Sequence, residues 1–299
     1  MDLNRIYYGD CVKLSKKVPD GFVDLVVTSP PYAKMVSYGA GVKTFEPEMY
    51  GDWFLPLAVE IARFLKDTGS FIMNINDQII DGERSIYVME LVCRIVRETD
   101  LKLFDRYIWT KKSGLPSGGA RRLDDKLEYI FHFVKDPKKY KCYTDRVRIP
   151  YQEVSVKRMQ KPVGVHDSVN DSGLTTTNLK KIEVNPLGKI PTTRFEFNTA
   201  GVLKGGAAGK HPAPFHPDMP AWFIKWLTDK GDVVLDPFMG GGTTAGVCKR
   251  MGRSWIGFEI NEEYKKLIDW TLENCYNVKC NIIDEKDEEK EEDLEDLFE

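Results

Sequence analysis

The stretch DVVLDPFMGGGTTAGVCKRMGRSWIGFEIN, residues 232–261, restricts the fold more than any other part of the chain. A short apolar strand ends at Asp236, three glycines follow, and Thr243 and Thr244 open a helix. The next strand ends at Glu259, nineteen residues after Gly240. A strand, a glycine loop, a helix and a second strand ending in an acid form one crossover unit of a parallel sheet. Gly240, Gly241 and Gly242 carry no side chains, which would let a ligand approach the backbone, and Glu259 can accept from both hydroxyls of a ribose. No G-K-[ST] follows, so this is not a P-loop. The dinucleotide pattern G-x-G-x-x-G is also missing, and threonines stand where phosphates would require more backbone donors. A ribose-bearing ligand without a pyrophosphate fits better, and S-adenosylmethionine (AdoMet) is the obvious candidate.

Elsewhere apolar runs alternate with amphipathic stretches, which predicts an α/β sheet. The further strands are Arg5–Tyr8, Val23–Thr28, Ser70–Ile75, Lys102–Thr110 and Tyr129–Val134, with Asp232–Leu235 and Trp255–Phe258 completing the glycine-loop unit. Trp53, Phe54, Leu57, Ala58, Ile61, Phe64 and Leu65 trace one face of a helix that stops at Asp67-Thr68-Gly69. Ile86, Met89, Val92, Cys93 and Val96 trace a second, and the region of Leu267 a last one. These stripes are read as core. Residues 141–210 are rich in Pro, Gly, Asn and polar β-branched residues and keep no helical period for long, so they are read as an insertion or small lobe. There is no internal repeat.

Of 299 residues, 42% are hydrophobic and 30% charged, ordinary values for a globular chain. Charge is divided unevenly. Residues 284–299 hold eleven acids and two lysines, a net of −9, so the formal total of −3 leaves +6 on residues 1–283. Residues 102–161 carry sixteen Lys/Arg against seven Asp/Glu. A basic middle suits a polyanionic partner, although a solvated face explains any single charge run equally well. The acidic tail reads as disordered or as a frayed helix. The six cysteines are scattered without C-x-x-C spacing, so they read as thiols rather than metal ligands or disulfides. With no run of 18 apolar residues and no secretory order in MDLNRIYYGD, a cytoplasmic protein without membrane contact is expected.

A second stretch, DLVVTSPPYAKM at residues 24–35, ends a buried strand with Ser29-Pro30-Pro31-Tyr32. Two prolines can neither donate to a sheet nor continue a helix, so the chain leaves the strand as a stiff, extended hook.

TSPPY early in the chain and DPFMGGGTT late resemble the DNA amino-methyltransferases of bacteria and archaea. Specifically, they resemble the β group, in which the catalytic Pro-Pro-Tyr/Phe loop precedes the AdoMet loop. IYYGDCVKL is similar to the family's adenine-contacting segment, WTKKSGLPSGGARRLDDKLEYIFHFVK to its central strand–loop–strand, and KHPAPFHPDMPAWFI to the segment that closes over the methionine part of AdoMet. The resemblance covers roughly residues 3–135 and 210–275. It implies a Rossmann-like AdoMet-dependent methyltransferase fold: a mixed, mostly parallel sheet, helices on both faces, circularly permuted motif order and a small target-recognition insertion. The parts would be residues 1–140 as the catalytic half, 141–209 as the insertion, 210–283 as the AdoMet-binding half and 284–299 as the tail. For the cofactor it implies Asp10, Thr28, Asp236, Pro237, Phe238, Gly240, Gly242, Thr243, Glu259, Asn261, His211 and Phe215. His211 and His216 are as readily packing or capping groups, and Lys210 is similarly open. No metal is implied.

The resemblance also gives the hook a chemical reason. An exocyclic amine of a base is a poor nucleophile because its lone pair is delocalised into the ring. Acceptors on its hydrogens free that pair; the Ser29 hydroxyl and the Pro30 carbonyl would serve, held in place by Pro30 and Pro31, while Tyr32 offers a face on which an extruded base can stack. Cys11 lacks the setting of a nucleophile. Ser at the first position favours the N4 amine of cytosine, as in a type II restriction-modification methylase, and leaves adenine N6 as the alternative. Relatives acting on RNA or on protein glutamine typically carry Asn-Pro-Pro-Tyr after the AdoMet loop, the opposite order. Double-stranded DNA would be held by phosphate contacts from Lys111, Lys112, Arg121 and Arg122. Sequence would be read within residues 141–209, with Arg146, Arg148, Lys157, Arg158 and Gln160 as candidates. A cognate restriction endonuclease would be the functional partner, and a monomer or weak dimer is expected.

Overall fold

Strands with apolar residues on both faces need a covering layer on each side, and this chain supplies two. A computed structural model describes residues 1–33, 45–111, 121–160, 184–197, 216–275, 280 and 282, with backbone only at 157–160. Two compact units emerge, Met1–Tyr143 with Thr193–Glu299, and Thr144–Thr192. In chain order the elements are β1 (Arg5–Tyr8), α1 (Cys11–Ser15), β2 (Val23–Thr28), α2 (Pro47–Phe64), β3 (Leu65–Ile75), β4 (Ile79–Ile80), β5 (Glu83–Arg84), α3 (Tyr87–Glu98), β6 (Lys102–Thr110) and β7 (Leu127–Val134). There follow α4 (Glu153–Gln160), β8 (Arg194–Phe195), α5 (Asp218–Leu227), β9 (Val233–Asp236), α6 (Thr243–Arg250), β10 (Ser254–Glu259) and α7 (Lys265–Glu273).

The larger unit is built on one eight-stranded sheet in the order β1-β10-β9-β2-β3-β7-β6-β8. Only β7 runs antiparallel to its neighbours; the remaining pairings are parallel. Alternate strand residues go to opposite sides. Val26, Phe71, Met73, Leu235 and Phe258 join α1, α2 and α3 in one core, while Leu25, Val27, Ile72, Val234 and Trp255 join α5 and α6 in the other. The mostly parallel sheet with helices on both faces agrees with the expected fold class.

From β9 the chain crosses to β10 on one side, and from β2 to β3 on the other, with β2 and β9 adjacent in the middle. Such a reversal opens a crevice at the carboxyl ends of the two strands, where ligands of α/β sheets bind. Two buried carboxylates tie β2 to β9. At the entering end Asp24 accepts from Val233 N (3.0 Å) and Lys66 Nζ (2.8 Å). At the exit end Asp236 accepts from Thr28 Oγ1 (2.5 Å), Thr244 Oγ1 (2.6 Å) and Phe238 N (3.0 Å).

Several sequence expectations need correction. The stripe assigned to α3 is rotated: Ile86, Met89, Cys93 and Val96 are exposed, and the buried face is Tyr87, Val88, Leu91, Val92 and Ile95. Both stripes are apolar, and the second packs against α2, where Tyr87 and Tyr50 lie 4.8 Å apart. Helix α2 ends at Phe64, and Asp67-Thr68-Gly69, expected to stop it, lies inside β3. There Gly69 lets β3 come close to β2, since a Cβ would stand 2.9 Å from the Asp24 carbonyl oxygen. The small unit is shorter than the expected 141–209. Residues 193–197 belong to the main unit, where Trp109 Nε1 donates to the Phe197 carbonyl at 3.0 Å. The small unit does contain a helix, α4. It also has a bridge between Ile149 and Lys189, braced by Arg148 Nη1 donating to the Gly188 carbonyl at 2.9 Å. The acidic tail lies outside the described residues.

Burial raises the pKa of Asp236 to about 6, an effect its three hydrogen bonds only partly offset. The native state therefore binds this proton more tightly than the unfolded chain, whose carboxylate titrates near ~4. The stability this group contributes is present below about pH 4 and is lost as pH rises through about 6. Relative to Asp236→Asn, the wild-type chain should lose roughly 2–3 kcal/mol of unfolding free energy over that window. Denaturant melts of both proteins at pH 4 and pH 7 measure the difference.

Candidate active site

The hook and the glycine loop, far apart in sequence, meet at the crevice. Thr28, the last residue of β2, donates its hydroxyl to Asp236, the last of β9, across a sequence separation of 208. Beyond Thr28 the hook begins. Pro30 is buried, Ser29 and Tyr32 are half-buried, and the Pro31 carbonyl accepts from Tyr50 Oη of α2 at 2.7 Å. Gln78 Nε2 donates to the Ala33 carbonyl at 2.5 Å. Two prolines with fixed φ, anchored by these two bonds, hold the hook before any substrate arrives.

A polar cluster backs the hook. Ser29 Oγ donates to Tyr32 Oη at 3.3 Å, and Tyr32 Oη donates to Glu128 Oε2 at 2.8 Å. Asn74 Nδ2, from β3, donates to the same oxygen at 3.0 Å, while Lys111 Nζ pairs with Glu128 Oε1 at 2.6 Å. Asn74 and Glu128 are 1% and 7% exposed, so the cluster is largely shielded from water. A buried carboxylate with donors on both oxygens meets the requirement for a stable buried charge.

On the other side of the crevice the carboxylate of Glu259 accepts from Gly240 N at 2.7 Å and from Asn261 N at 2.8 Å. Burial pushes its pKa up, and the backbone donors at Asn261 and Gly240 oppose the rise. With Ile260 N as a further backbone donor, about one of the carboxylate's roughly four lone-pair sites remains for a ligand hydroxyl. The β1 end lies alongside, with Tyr8 in register with Glu259 and Gly9 N donating to the Glu259 carbonyl at 2.8 Å. Asp10 follows, exposed, its side chain capping α1 by accepting from Lys13 N at 2.8 Å. Phe238, partly buried, faces Trp53 at 5.7 Å between ring centroids, and Trp53 stacks on Phe45 at 4.3 Å. An acid with an acceptor site left, an exposed acid at Asp10 and an aromatic wall suit a nucleoside-like ligand, and none of these described residues brings a positive charge for a pyrophosphate.

Several predicted site residues have partners within the chain. Thr28 and Asp236 are fully buried and point at each other and at Thr244. Asn261 caps a short helical turn by accepting from Glu263 N at 3.0 Å. Gly242, at φ +86°, lies close against α7, where a Cβ would stand 3.3 Å from Ile268 Cα. Pro237 is buried, Thr243 is half-buried at the start of α6, and Gly240 (φ +54°) donates to Glu259. His216 accepts from Asp218 N at 3.2 Å, a capping role. Burial raises the Cys11 thiol to about 12, unsuited to a nucleophile.

Among the basic candidates, Lys111 turns to Glu128 and Arg122 to the Gly82 carbonyl, while Arg121 and Arg146 are exposed. Arg148 pairs with Asp145 at 2.5 Å within the small unit. Lys112, Lys210, His211 and Phe215 lie outside the described residues, as do the side chains of Lys157, Arg158 and Gln160. Glu128, Asn74 and Trp53 were not foreseen as site residues.

The family of DNA methylases, with N6 and N4 methyltransferases as its members, matches residues 23–269. The chain belongs to this family. The DNA methylase is 30% identical over 283 residues to type II methyltransferase M.PvuII of Proteus hauseri, covering 87% of this chain and 80% of that protein. It is 27% identical over 273 residues to the DNA adenine methyltransferase YhdJ of Escherichia coli K12, covering 89% and 81%. Its fold is similar to that of PvuII DNA methyltransferase (cytosine-N4-specific), with a TM-score of 0.64, 25% identity and coverage of 92% and 93%. It also resembles the fold of M1.HpyAVI in its complex with SAM, with a TM-score of 0.55, 20% identity and coverage of 90% and 98%.

Gly242→Ala should destabilise the DNA methylase by about 1–3 kcal/mol, combining backbone strain at positive φ with displacement of Ile268. The change in melting temperature tests this; an unaltered value would mean that α7 yields without cost.

Proposed function

We propose that the DNA methylase transfers a methyl group from AdoMet to the N4 amine of a cytosine turned out of duplex DNA. The observation that carries this is the Thr28–Asp236 bond of 2.5 Å, which joins the amine-binding hook to the glycine loop at the switch point of one sheet. When bound, AdoMet supplies the methyl group as an electrophilic methylsulfonium. Its ribose would be held by Glu259, its adenine by the segment around Asp10 and by the Phe238–Trp53 wall, with Gly240 giving close backbone approach.

The chain's own residues prepare the amine. Ser29 Oγ and the Pro30 carbonyl accept from its two hydrogens, which draws the lone pair out of conjugation with the ring. Tyr32 flanks the extruded base, and the prolines hold both acceptors without reorganisation. The nitrogen lone pair forms the N–CH3 bond as the C–S bond breaks with its electron pair left on sulfur, and the surplus proton of the nitrogen is released to water. Phosphate contacts come from exposed cations such as Arg121 and Arg146, and the Thr144–Thr192 unit reads sequence. Host protection in a restriction-modification system, beside a cognate endonuclease, follows from the similarity to M.PvuII, whose name carries type II.

Serine at the first hook position and the likeness to a cytosine-N4-specific enzyme support cytosine. Adenine N6 is the second reading, favoured by the similarity to YhdJ. Modification-sensitive sequencing of DNA from cells expressing the protein decides between the bases.

Labelled methyl should pass from AdoMet to duplex DNA. Ser29→Ala should lower kcat by roughly 100-fold or more with AdoMet binding intact. Turnover at the wild-type rate would remove this hydroxyl from the chemistry. Glu259→Ala should weaken AdoMet binding by roughly tenfold or more, as loss of a charge-assisted hydrogen bond does; calorimetric titration measures it.

A further inference from the structure

The Ser29 hydroxyl can meet an amine only if its own hydrogen points elsewhere, and the cluster behind the hook determines where it points. A carboxylate only accepts. Tyr32 Oη faces two acceptors, Glu128 Oε2 at 2.8 Å and Asn74 Oδ1 at 3.4 Å, so its single hydrogen goes to the nearer carboxylate and its oxygen is left to accept from Ser29 Oγ at 3.3 Å. Ser29 thus directs its hydrogen inward and its lone pairs outward. The inner bond is loose, as such bonds are before a substrate complex tightens them. If a donor stood in place of Glu128, Tyr32 would keep only the longer bond to Asn74 Oδ1, and a reversed chain, in which Ser29 presents a hydrogen suited to a carbonyl, would compete with the original one. Asn74 Nδ2 at 3.0 Å and Lys111 Nζ at 2.6 Å occupy further acceptor sites of Glu128, which keeps the group an acceptor although only 7% of it is exposed.

Resting on the proposed amine methylation, we propose that Glu128 is a positioning residue. Acting through Tyr32, it fixes Ser29 as an acceptor and so makes the hook select an exocyclic amine over a ring carbonyl. Cytosine and adenine present an amine at this point; uracil and hypoxanthine present a carbonyl oxygen.

The test compares wild type, Glu128→Gln, Tyr32→Phe and the double variant. It uses genomic DNA from a host that lacks this enzyme, with kcat, KM for DNA and AdoMet affinity measured separately. Glutamine keeps the shape of Glu128 but can turn its amide hydrogens to Tyr32, so polarity is no longer fixed. The expected result for Glu128→Gln is a fall in kcat of roughly tenfold or more, with KM and AdoMet affinity within about twofold. The double variant should be no slower than Tyr32→Phe alone, because both changes cut the same chain. Wild-type kcat in Glu128→Gln, or single effects that multiply, overturns the proposal. Tyr32→Phe breaks the chain without touching the Lys111 pair and must show the same loss confined to kcat. Wild-type kcat in this variant overturns the proposal even if Glu128→Gln fails to fold.

A measurement free of turnover uses 13Cζ-labelled tyrosine. The Tyr32 resonance, identified by its loss in Tyr32→Phe, should shift in Glu128→Gln; an unmoved resonance overturns the proposal. If the wild-type enzyme transfers no methyl, the proposed function fails, and the resonance alone decides whether Glu128 sets the bond direction.

Discussion

The carboxylate of Asp236 holds together the place where the two halves of the methylase meet. Strands β2 and β9 are in register at only two positions, Leu25 with Val234 and Val26 with Leu235. Beyond these the strands part, as neighbours do at a switch point, and the crevice opens between their ends. Thr28 and Asp236 bridge that opening at 2.5 Å, while Thr244 brings the start of α6 to the same carboxylate at 2.6 Å. Burying a charge is expensive unless it is well hydrogen-bonded. The raised pKa of Asp236 shows that the cost is only partly offset. What results is a fixed distance between the segment that carries the hook and the segment that carries the glycine loop.

Around that tie each half is stiffened by its own local chemistry. Pro30 and Pro31 limit the hook, and Tyr50 from α2 holds the Pro31 carbonyl at 2.7 Å. Phe54, one turn along the same helix, is fully buried and packs at 6.2 Å from Phe238 of the glycine loop, so α2 supports both halves at once. The loop is shaped from behind by α7, whose Leu267 and Ile268 fill the space where Gly241 and Gly242 lack side chains. Two of the three glycines therefore serve packing, while Gly240 is bonded to Glu259.

The glycine-loop unit and the hook were legible because each is a local pattern: an apolar run, a break in backbone chemistry, and a polar residue at a fixed offset. The α3 stripe was misread because its residues make two overlapping apolar faces, Ile86/Met89/Cys93/Val96 and Val88/Leu91/Val92/Ile95. Only packing against α2 decides between them. Glu128 went unnoticed for a different reason. Its partner Tyr32 lies 96 residues away, and a single acid at the start of LEYIFHFV looks like an ordinary strand end. Lys111 was read as a phosphate contact from the local run of charge, but a charge run does not specify which cation turns inward. The one available signal was that Glu128 interrupts a strand whose following residues are nearly all buried.

Glu128 also bears on why a serine suffices at the first hook position. On the proposed amine methylation a neutral hydroxyl faces the substrate, and the negative charge stands behind it, across the Ser29–Tyr32 and Tyr32–Glu128 bonds of 3.3 and 2.8 Å. The arrangement polarises the serine oxygen toward the amine, while Lys111 and Asn74 balance the carboxylate from its far side. On the same proposal such a hook distinguishes an amine from a carbonyl. Choice between cytosine and adenine then draws, beside the serine, on groups that meet the ring, through its size and its remaining edge atoms.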